Sequence, residues 1–134
     1  MKDLNRKIGD MEFDGLISGI SPTPLVGGGI IRKLGTAATL KRGTILAKSS
    51  GTAGDNKLVV LGTTAASSET LTADCILCDD IDVGTANDEN VAVYISGCFN
   101  TSKVIVKDQY TISETDKDNL RMRGIIFKAA APAD

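Results

Sequence analysis

The sequence predicts a mostly β domain, sandwich-like or barrel-like, with one short helix near its C-terminus and an extended N-terminal arm. From residue 25 onward, short runs rich in Val, Ile, Leu and Thr recur at regular spacing, and clusters of Gly, Asn, Asp and Ser separate them. Such spacing is typical of an all-β sandwich or barrel. The chain has 134 residues, which suits one domain with its own core.

The first 23 residues predict the arm, and residues 24–134 predict the single β-rich domain. The arm is polar except for the stretch FDGLISGI, which SPTP follows. Proline favours extended backbone and excludes a helix. The residues that we expect to anchor the arm on a partner are Phe13, Leu16, Ile17, Ile20, Pro22 and Pro24. A terminus of this composition is loose until a partner holds it, so deletion of residues 1–20 is expected to leave the fold intact.

Seven apolar runs predict strands of the domain: LVGGGIIRKL, AATL, GTILAKS, KLVVLG, DCILCDDI, NVAVYISG and KVIVKD. In the first run, GGG is interpreted as a flexible bend rather than an anion-binding nest. In NVAVYIS, the alternation of Val91, Val93 and Ile95 predicts a half-buried strand.

The third and fourth runs predict a hairpin-like pair, at residues 44–48 and 57–61, around the loop SSGTAGDN. Gly51 and Gly54 allow positive φ, and the Asp-Asn pair favours turning. A phosphate-binding loop needs Gly-Lys followed by Ser or Thr at a helix start, and this loop lacks that sequence. The stretch is therefore interpreted as structural.

One helix is predicted over residues 114–123, with a final strand in IIFKA. Ser113 can cap it, and Asp116 stands at the capping-box position. Acidic residues fill the first turn and arginines the last, and Gly124 can end the helix. Its apolar face is thin, mainly Leu120 and Met122.

Composition excludes several functional classes. The chain has no histidine, which removes Ser-His and Cys-His nucleophilic pairs and most zinc sites. We therefore expect no catalytic residue, no cofactor, no metal and no small-molecule substrate. A net charge of −2 and few aromatic residues argue against nucleic acid and an acidic membrane as partners. No apolar run approaches transmembrane length, and no signal peptide is evident.

For three short motifs, a structural interpretation is favoured over a functional one. Cys75 and Cys78 form a C-x-x-C within a predicted strand, where an offset of three puts the side chains on opposite faces. Packed, reduced cysteines are favoured over a redox or zinc pair. The acidic residues of DDID predict a turn after a strand rather than a Ca²⁺ site, and NTS, at residues 100–102, predicts a turn.

Charge is uneven along the chain. Residues 1–50 carry eight basic and four acidic residues, whereas residues 51–100 carry one basic and eight acidic residues. Contacts between subunits and differently charged solvated loops both account for this pattern.

The order of segments resembles the head decoration proteins of tailed bacteriophages, the lambda protein D type. The resemblance rests on FDGLISGISP, LKRGTILAK, KLVVLG, ADCILCDDIDV, NVAVYISGCFN, SKVIVKD and NLRMRGIIFKA, over roughly residues 13–129. It implies a compact domain of β-tulip type with little helix. The cysteines at positions 75, 78 and 98 depart from residues that are frequent in the family.

The resemblance also implies a function. Such proteins bind the outer surface of the expanded head as homotrimers, contact the major capsid protein, and stabilise the head against internal DNA pressure. Their arms order on the capsid, often as an added strand, and the proteins are made in the host cytoplasm. Two alternatives remain open: another phage structural module, such as a tail or fibre subunit, and a small thiol-dependent protein.

Overall fold

The computed structural model describes residues 15–19 and 24–128. Predictions that fall on the other residues lie outside the described part. The elements are β1 (Ile17–Gly19), β2 (Leu25–Ile31), β3 (Ala38–Leu40), β4 (Ile45–Ser50), β5 (Leu58–Val60), β6 (Thr70–Leu77), β7 (Ile81–Val83), β8 (Glu89–Asn100), α1 (Glu114–Met122) and β9 (Ile125–Lys128).

Five strands close into a barrel. β8 pairs antiparallel with β2 and β6, and β4 pairs antiparallel with β5 and β6. One parallel pair, Ile31 with Leu58, joins β2 to β5 and completes the circle. Strands hold 45% of the described residues and helix 8%, which confirms the mostly β, barrel-like fold with one short helix.

β8 is the longest of these strands, and it also pairs with two strands outside the barrel, β1 and β9. It pairs with β2 as far as Ser96, while its last four residues pair in parallel with β9. On the other edge of this last part, β1 pairs with Cys98 and Phe99. Gly97 lies at the transition with φ of +145°, where any side chain would meet the Phe99 ring at 2.9 Å. Glycine is therefore required where β8 leaves the barrel.

Alternate residues of the barrel strands divide between two apolar clusters. All five strands contribute to the first, which is therefore the interior of the barrel; its members are Ile31, Leu46, Leu58, Cys75, Leu77, Val83 and Val93. The opposite faces of β4, β5, β6 and β8 form an outer cluster with the helix, β9 and Leu16. The barrel wall is thus buried on both sides where α1 and β9 cover it.

The prediction of a half-buried strand in NVAVYIS is partly wrong, because this strand contributes side chains to both apolar clusters. Val93 is buried in the barrel interior, but Ile95 is exposed, and Tyr94 on the opposite face is buried in the outer cluster.

A two-stranded ribbon of β3 and β7 packs against the interior cluster through Leu40, Ile81 and Val83. The acidic turn before β7 has partners here. The Thr39 hydroxyl donates to the Asp82 carboxylate at 2.6 Å, and the Arg42 backbone N–H donates to Asp80 at 2.7 Å. The predicted turn in DDID therefore fixes the ribbon to the start of β4.

The helix is confirmed to within one residue at its C-terminal end. Ser113 and Asp116 form the reciprocal capping box, with N–H···O distances of 3.0 and 3.1 Å. Gly124 follows with φ of +102°. Of the two residues expected on its apolar face, Leu120 is buried, but Met122 is 82% exposed. No helix among the described residues is long and apolar enough to cross a membrane.

Two predictions from the sequence were wrong, one of a bend and one of a strand. The GGG of residues 27–29 is not a bend, because all three glycines lie inside β2 and pair with β8. The run KVIVKD is not a strand of the sheet; only Ile105 forms an isolated bridge, with Thr44. Its valines, Val104 and Val106, still pack against the outer cluster.

Candidate functional site

The chain enters the described domain beside the C-terminal part of β8. Leu16 is 2% exposed and belongs to the outer cluster. Its carbonyl oxygen accepts a hydrogen bond from the Asn100 backbone N–H at 2.7 Å. Ile17 is half-buried and pairs with Phe99, and the Ser18 hydroxyl lies 3.4 Å from the Cys98 sulfur. These contacts place residues 16–19 in the body of the domain.

The residues expected to anchor an arm therefore do not form one surface among the described residues. Phe13, Ile20 and Pro22 lie outside the described residues. Leu16 cannot contact a partner in this conformation, because its side chain fills the core. Pro24 is half-buried and lies beside Gly97. Capsid binding by any of these residues stays a prediction.

A second candidate surface is the β2 edge, residues 25–30. β8 pairs with one side of β2, but β5 pairs with the other side only at Ile31. Among the described residues, the β2 edge therefore has no ladder partner on that side. Leu25, Val26 and Ile30 are 53%, 61% and 45% exposed. An unpaired edge that is apolar and uncharged is suited to pairing with another strand.

Sequence reasoning missed this surface because GGG was interpreted as a bend. A signal was present: six residues from Leu25 to Ile30 without a charge or a polar side chain. Nothing lies within 4 Å of where a side chain at Gly28 would begin, so the face of β2 is open at this position.

The comparison with known families gives a clear result. The family model described as bacteriophage lambda head decoration protein D matches residues 28–125. The chain belongs to this family. A search of the curated proteins found no match. The matched residues run from Gly28, within β2, to the first residue of β9, so the match covers the barrel except for the first three residues of β2, and it covers the helix.

Membership supports a capsid decoration role for this head decoration protein, on the surface of the phage head. The family is structural. No group of three or more His, Cys, Asp or Glu side chains in residues 15–19 and 24–128 is arranged to hold a metal ion.

The three cysteines are buried and free. Cys75 lies in the interior cluster and Cys78 in the outer cluster, so the prediction that they occupy opposite faces is confirmed. Burial raises the pKa of the Cys75 thiol well above its usual range, and the Asp74 charge adds to this. Burial, helped by the charge of Asp79, raises the pKa of Cys78 to about 11. Both groups are therefore thiols at neutral pH.

We expect these thiols to be inert in the folded decoration protein. At pH 8, an aromatic disulfide reagent should label none of them on the timescale on which guanidinium-unfolded protein labels all three. Absorbance of the released thiolate measures this, and the unfolded sample is the control. Rapid labelling of Cys75 or Cys78 in the native protein would favour the thiol-dependent alternative.

A polar network ties two long loops to the barrel. The Arg32 guanidinium donates two hydrogen bonds of 2.9 Å to Asp55 and one of 2.5 Å to Glu69. The Glu69 side chain is 3% exposed and also accepts from the Ser49 hydroxyl and the Ala66 backbone N–H. The network joins the end of β2 to the loops before β5 and before β6.

These contacts hold both carboxylates in the charged form. Hydrogen bonds from Ala66, Ser49 and Arg32 lower the pKa of Glu69 from 4.5 to about 2. The Arg32 hydrogen bonds lower the pKa of Asp55 from 3.8 to about 2. The folded state therefore binds fewer protons than the unfolded state between these values.

We expect the network to stabilise the fold fully above about pH 4.5 and to lose that effect as the pH falls toward 2, where both carboxylates protonate. Arg32→Met should lower the free energy of unfolding at pH 7, and the difference from wild type should shrink between pH 5 and pH 2.5. Urea denaturation at several pH values measures this. Lys117→Met, which removes an exposed pair with Glu114, is the control and should change little. A pH-independent difference for Arg32→Met would contradict the assignment.

Proposed function

We propose that this decoration protein binds the outer surface of the expanded phage head as a homotrimer at three-fold positions. There it contacts the major capsid protein and stabilises the head against the pressure of the packaged DNA. The family match over residues 28–125 carries this proposal. The described domain supports it, because it has a closed barrel and a buried core with an apolar edge left open at β2.

The arm that we propose is shorter than composition suggests. Leu16 and β1 pack within the domain, so the capsid-binding segment is placed before Gly15, with Phe13 as its apolar anchor. Ile20, Pro22 and Pro24 lie in the link between β1 and β2, and we propose that this link also faces the capsid. Strand pairing suits the arm, since main-chain hydrogen bonds give affinity and alternate side chains give specificity.

Apolar burial by one arm does not hold the protein on the capsid. Burying Phe13 contributes about 1.5–3 kcal/mol, while ordering each backbone residue costs about 1–2 kcal/mol. Pairing with a capsid strand offsets part of this cost. A trimer engages three arms at once, and this raises the overall affinity without any new contact.

Adding the purified full-length protein to expanded, undecorated heads of its phage tests the proposal. Cryo-electron microscopy should show trimeric density over the three-fold positions, and unexpanded heads should bind much less. Decorated heads filled with DNA should also survive heating that bursts undecorated heads. Monomeric or dimeric knobs away from the three-fold positions would contradict the trimer, and density on the tail alone would favour the tail or fibre alternative.

A further inference from the structure

The exposed apolar side chains of the described residues are concentrated at the β2 edge. Seven large hydrophobic residues in this part of the chain are exposed, and three of them, Leu25, Val26 and Ile30, belong to the β2 edge. A fourth, Ile95, lies over the same edge, because a side chain at Gly27 would begin 3.0 Å from it. Exposed apolar side chains that lie together in this way indicate an interaction surface.

The unpaired backbone groups of this edge belong to alternate residues. The Arg32 N–H donates to the Leu58 carbonyl at 3.0 Å, so the backbone groups of Arg32 point toward β5. Backbone groups of alternate residues in a strand point to the same side, so those of Ile30, Gly28 and Val26 also point toward β5. β5 does not reach this far along β2. Among the described residues, the N–H and C=O groups of Val26 and Gly28 therefore have no ladder partner.

The same edge of a second copy can pair with all four of these groups. Two identical strands that pair antiparallel are related by a two-fold axis, the commonest symmetry of homo-oligomers. When Gly27 of each copy lies beside the axis, Val26 of each copy lies opposite Gly28 of the other. Each such pair exchanges two N–H···O bonds, so four hydrogen bonds join the two copies. The sheet of one copy then continues into the sheet of the other.

The side chains of the edge suit this register. Val26 is 61% exposed, and it would lie opposite Gly28 of the second copy, where nothing occupies the space of a side chain. Glycine beside the axis suits a non-hydrogen-bonded pair, in which the two Cα atoms are only about 4.5 Å apart. A register centred on Gly28 would instead place Val26 opposite Ile30, where β5 already pairs with the next residue. Residues 25–30 carry no charge, so two copies bring no like charges together along the paired strands.

We propose that the free protein forms a two-fold dimer in which the β2 edges of two copies pair antiparallel around Gly27. The occupant is a second copy rather than a different protein, because the same short strand supplies both the free backbone groups and the glycine opposite each Val26. The paired area is small, so the dimer is weak and reversible.

This dimer does not depend on the capsid role. A two-fold contact does not close a three-fold ring, so the β2 edge differs from the surface that would hold the proposed trimer together. If the β2 edge also meets the capsid, the dimer must separate first, and dimerisation would lower the apparent capsid affinity.

Sedimentation equilibrium of the full-length protein between about 1 µM and 1 mM tests the proposal. The wild type should change from monomer to dimer across this range. Val26→Lys should raise the dissociation constant by about tenfold or more, because it places a charge on the edge and removes an apolar side chain from the contact. Met122→Lys is the matched control, since Met122 is 82% exposed but lies on α1, and it should leave the dissociation constant unchanged.

Three outcomes of this experiment would overturn the proposal. They are a wild type that stays monomeric over the whole range, a wild type that forms trimers without dimers, and a dimer that Val26→Lys does not weaken.

Amide hydrogen exchange, resolved by residue with NMR, tests the register. The Val26 and Gly28 amides should become more protected as the protein concentration rises, because their N–H groups donate across the dimer. The Gly27 amide should change least, since alternation directs its N–H toward β8. Exchange at Val26 and Gly28 that does not depend on concentration would overturn the assignment, even if the protein dimerises through another surface.

Discussion

Removing residues 1–14 should leave the free energy of unfolding nearly unchanged and should weaken binding to expanded heads by about a hundredfold or more. The removed residues precede Gly15, where the described part of the chain begins, so the described core and every strand of the described residues are kept. Binding should fall steeply because the proposed trimer would lose three arms together, and avidity would multiply the loss. Urea denaturation measures the first quantity, and sedimentation with undecorated heads measures the second.

Removing five further residues should have a different result. A deletion to residue 19 also removes Leu16 and β1, which pack on the outer cluster and on β8. Loss of a buried leucine side chain alone costs about 2–5 kcal/mol. The prediction that deletion of residues 1–20 leaves the fold intact is therefore replaced by a boundary at Gly15.

Leu16→Ala in the full chain separates the two effects, because it should lower stability while leaving the arm in place. If the deletion of residues 1–14 binds heads as tightly as the full chain, the arm is not the anchor. The capsid contact must then lie on the domain, and the β2 edge is the first surface to test.

Gly62→Ala should destabilise the domain by about 2–5 kcal/mol, from about 1–2 for left-handed backbone and about 1–3 for overpacking. Gly62 has φ of +104°, and a side chain there would lie 2.7 Å from Tyr110 and 2.9 Å from Lys107. Both neighbours are held in place. The Lys107 N–H donates to the Leu61 carbonyl at 2.9 Å, and the Tyr110 hydroxyl donates to Asp116 of the helix.

Gly84→Ala is the matched control for this substitution. No atom lies within 4 Å of where its side chain would begin, and its φ is not positive. We expect a change within about 0.5 kcal/mol, as at most surface positions. Equal losses for the two variants in urea denaturation would show that the approach of Tyr110 to Gly62 does not limit stability.

Local signals in the sequence predicted the local structure well. The capping box, the acidic first turn and Gly124 placed α1 to within one residue, because these groups act within one or two helical turns. The pair of β4 and β5 was also predicted, since its loop carries its own turn residues; Gly51 and Asn56 do have positive φ. Gly54, which was also expected to allow positive φ, does not adopt it.

Nonlocal pairing accounts for what the sequence did not reveal. Three consecutive glycines favour a bend, yet β8 provides a complete ladder for them in β2. The residues of KVIVKD have strand-forming side chains, but the chain there bridges only Thr44. Leu16 was predicted to anchor the arm on a partner, and only its contacts with Asn100 and the outer cluster show that it is a core residue. None of these partners is near in sequence.

The position of β8 along the chain has a consequence for how the protein folds during translation. Before residues 89–100 leave the ribosome, β2 and β6 have no strand between them, and the barrel cannot close. β9, which pairs with the end of β8, follows later still. The barrel therefore stays open until β8 has been synthesised, and closure should be slow relative to that of a helical domain of equal size. Until then, the apolar edge of β2 is exposed to other unfinished copies, so we expect aggregation during rapid expression to decrease at lower temperature.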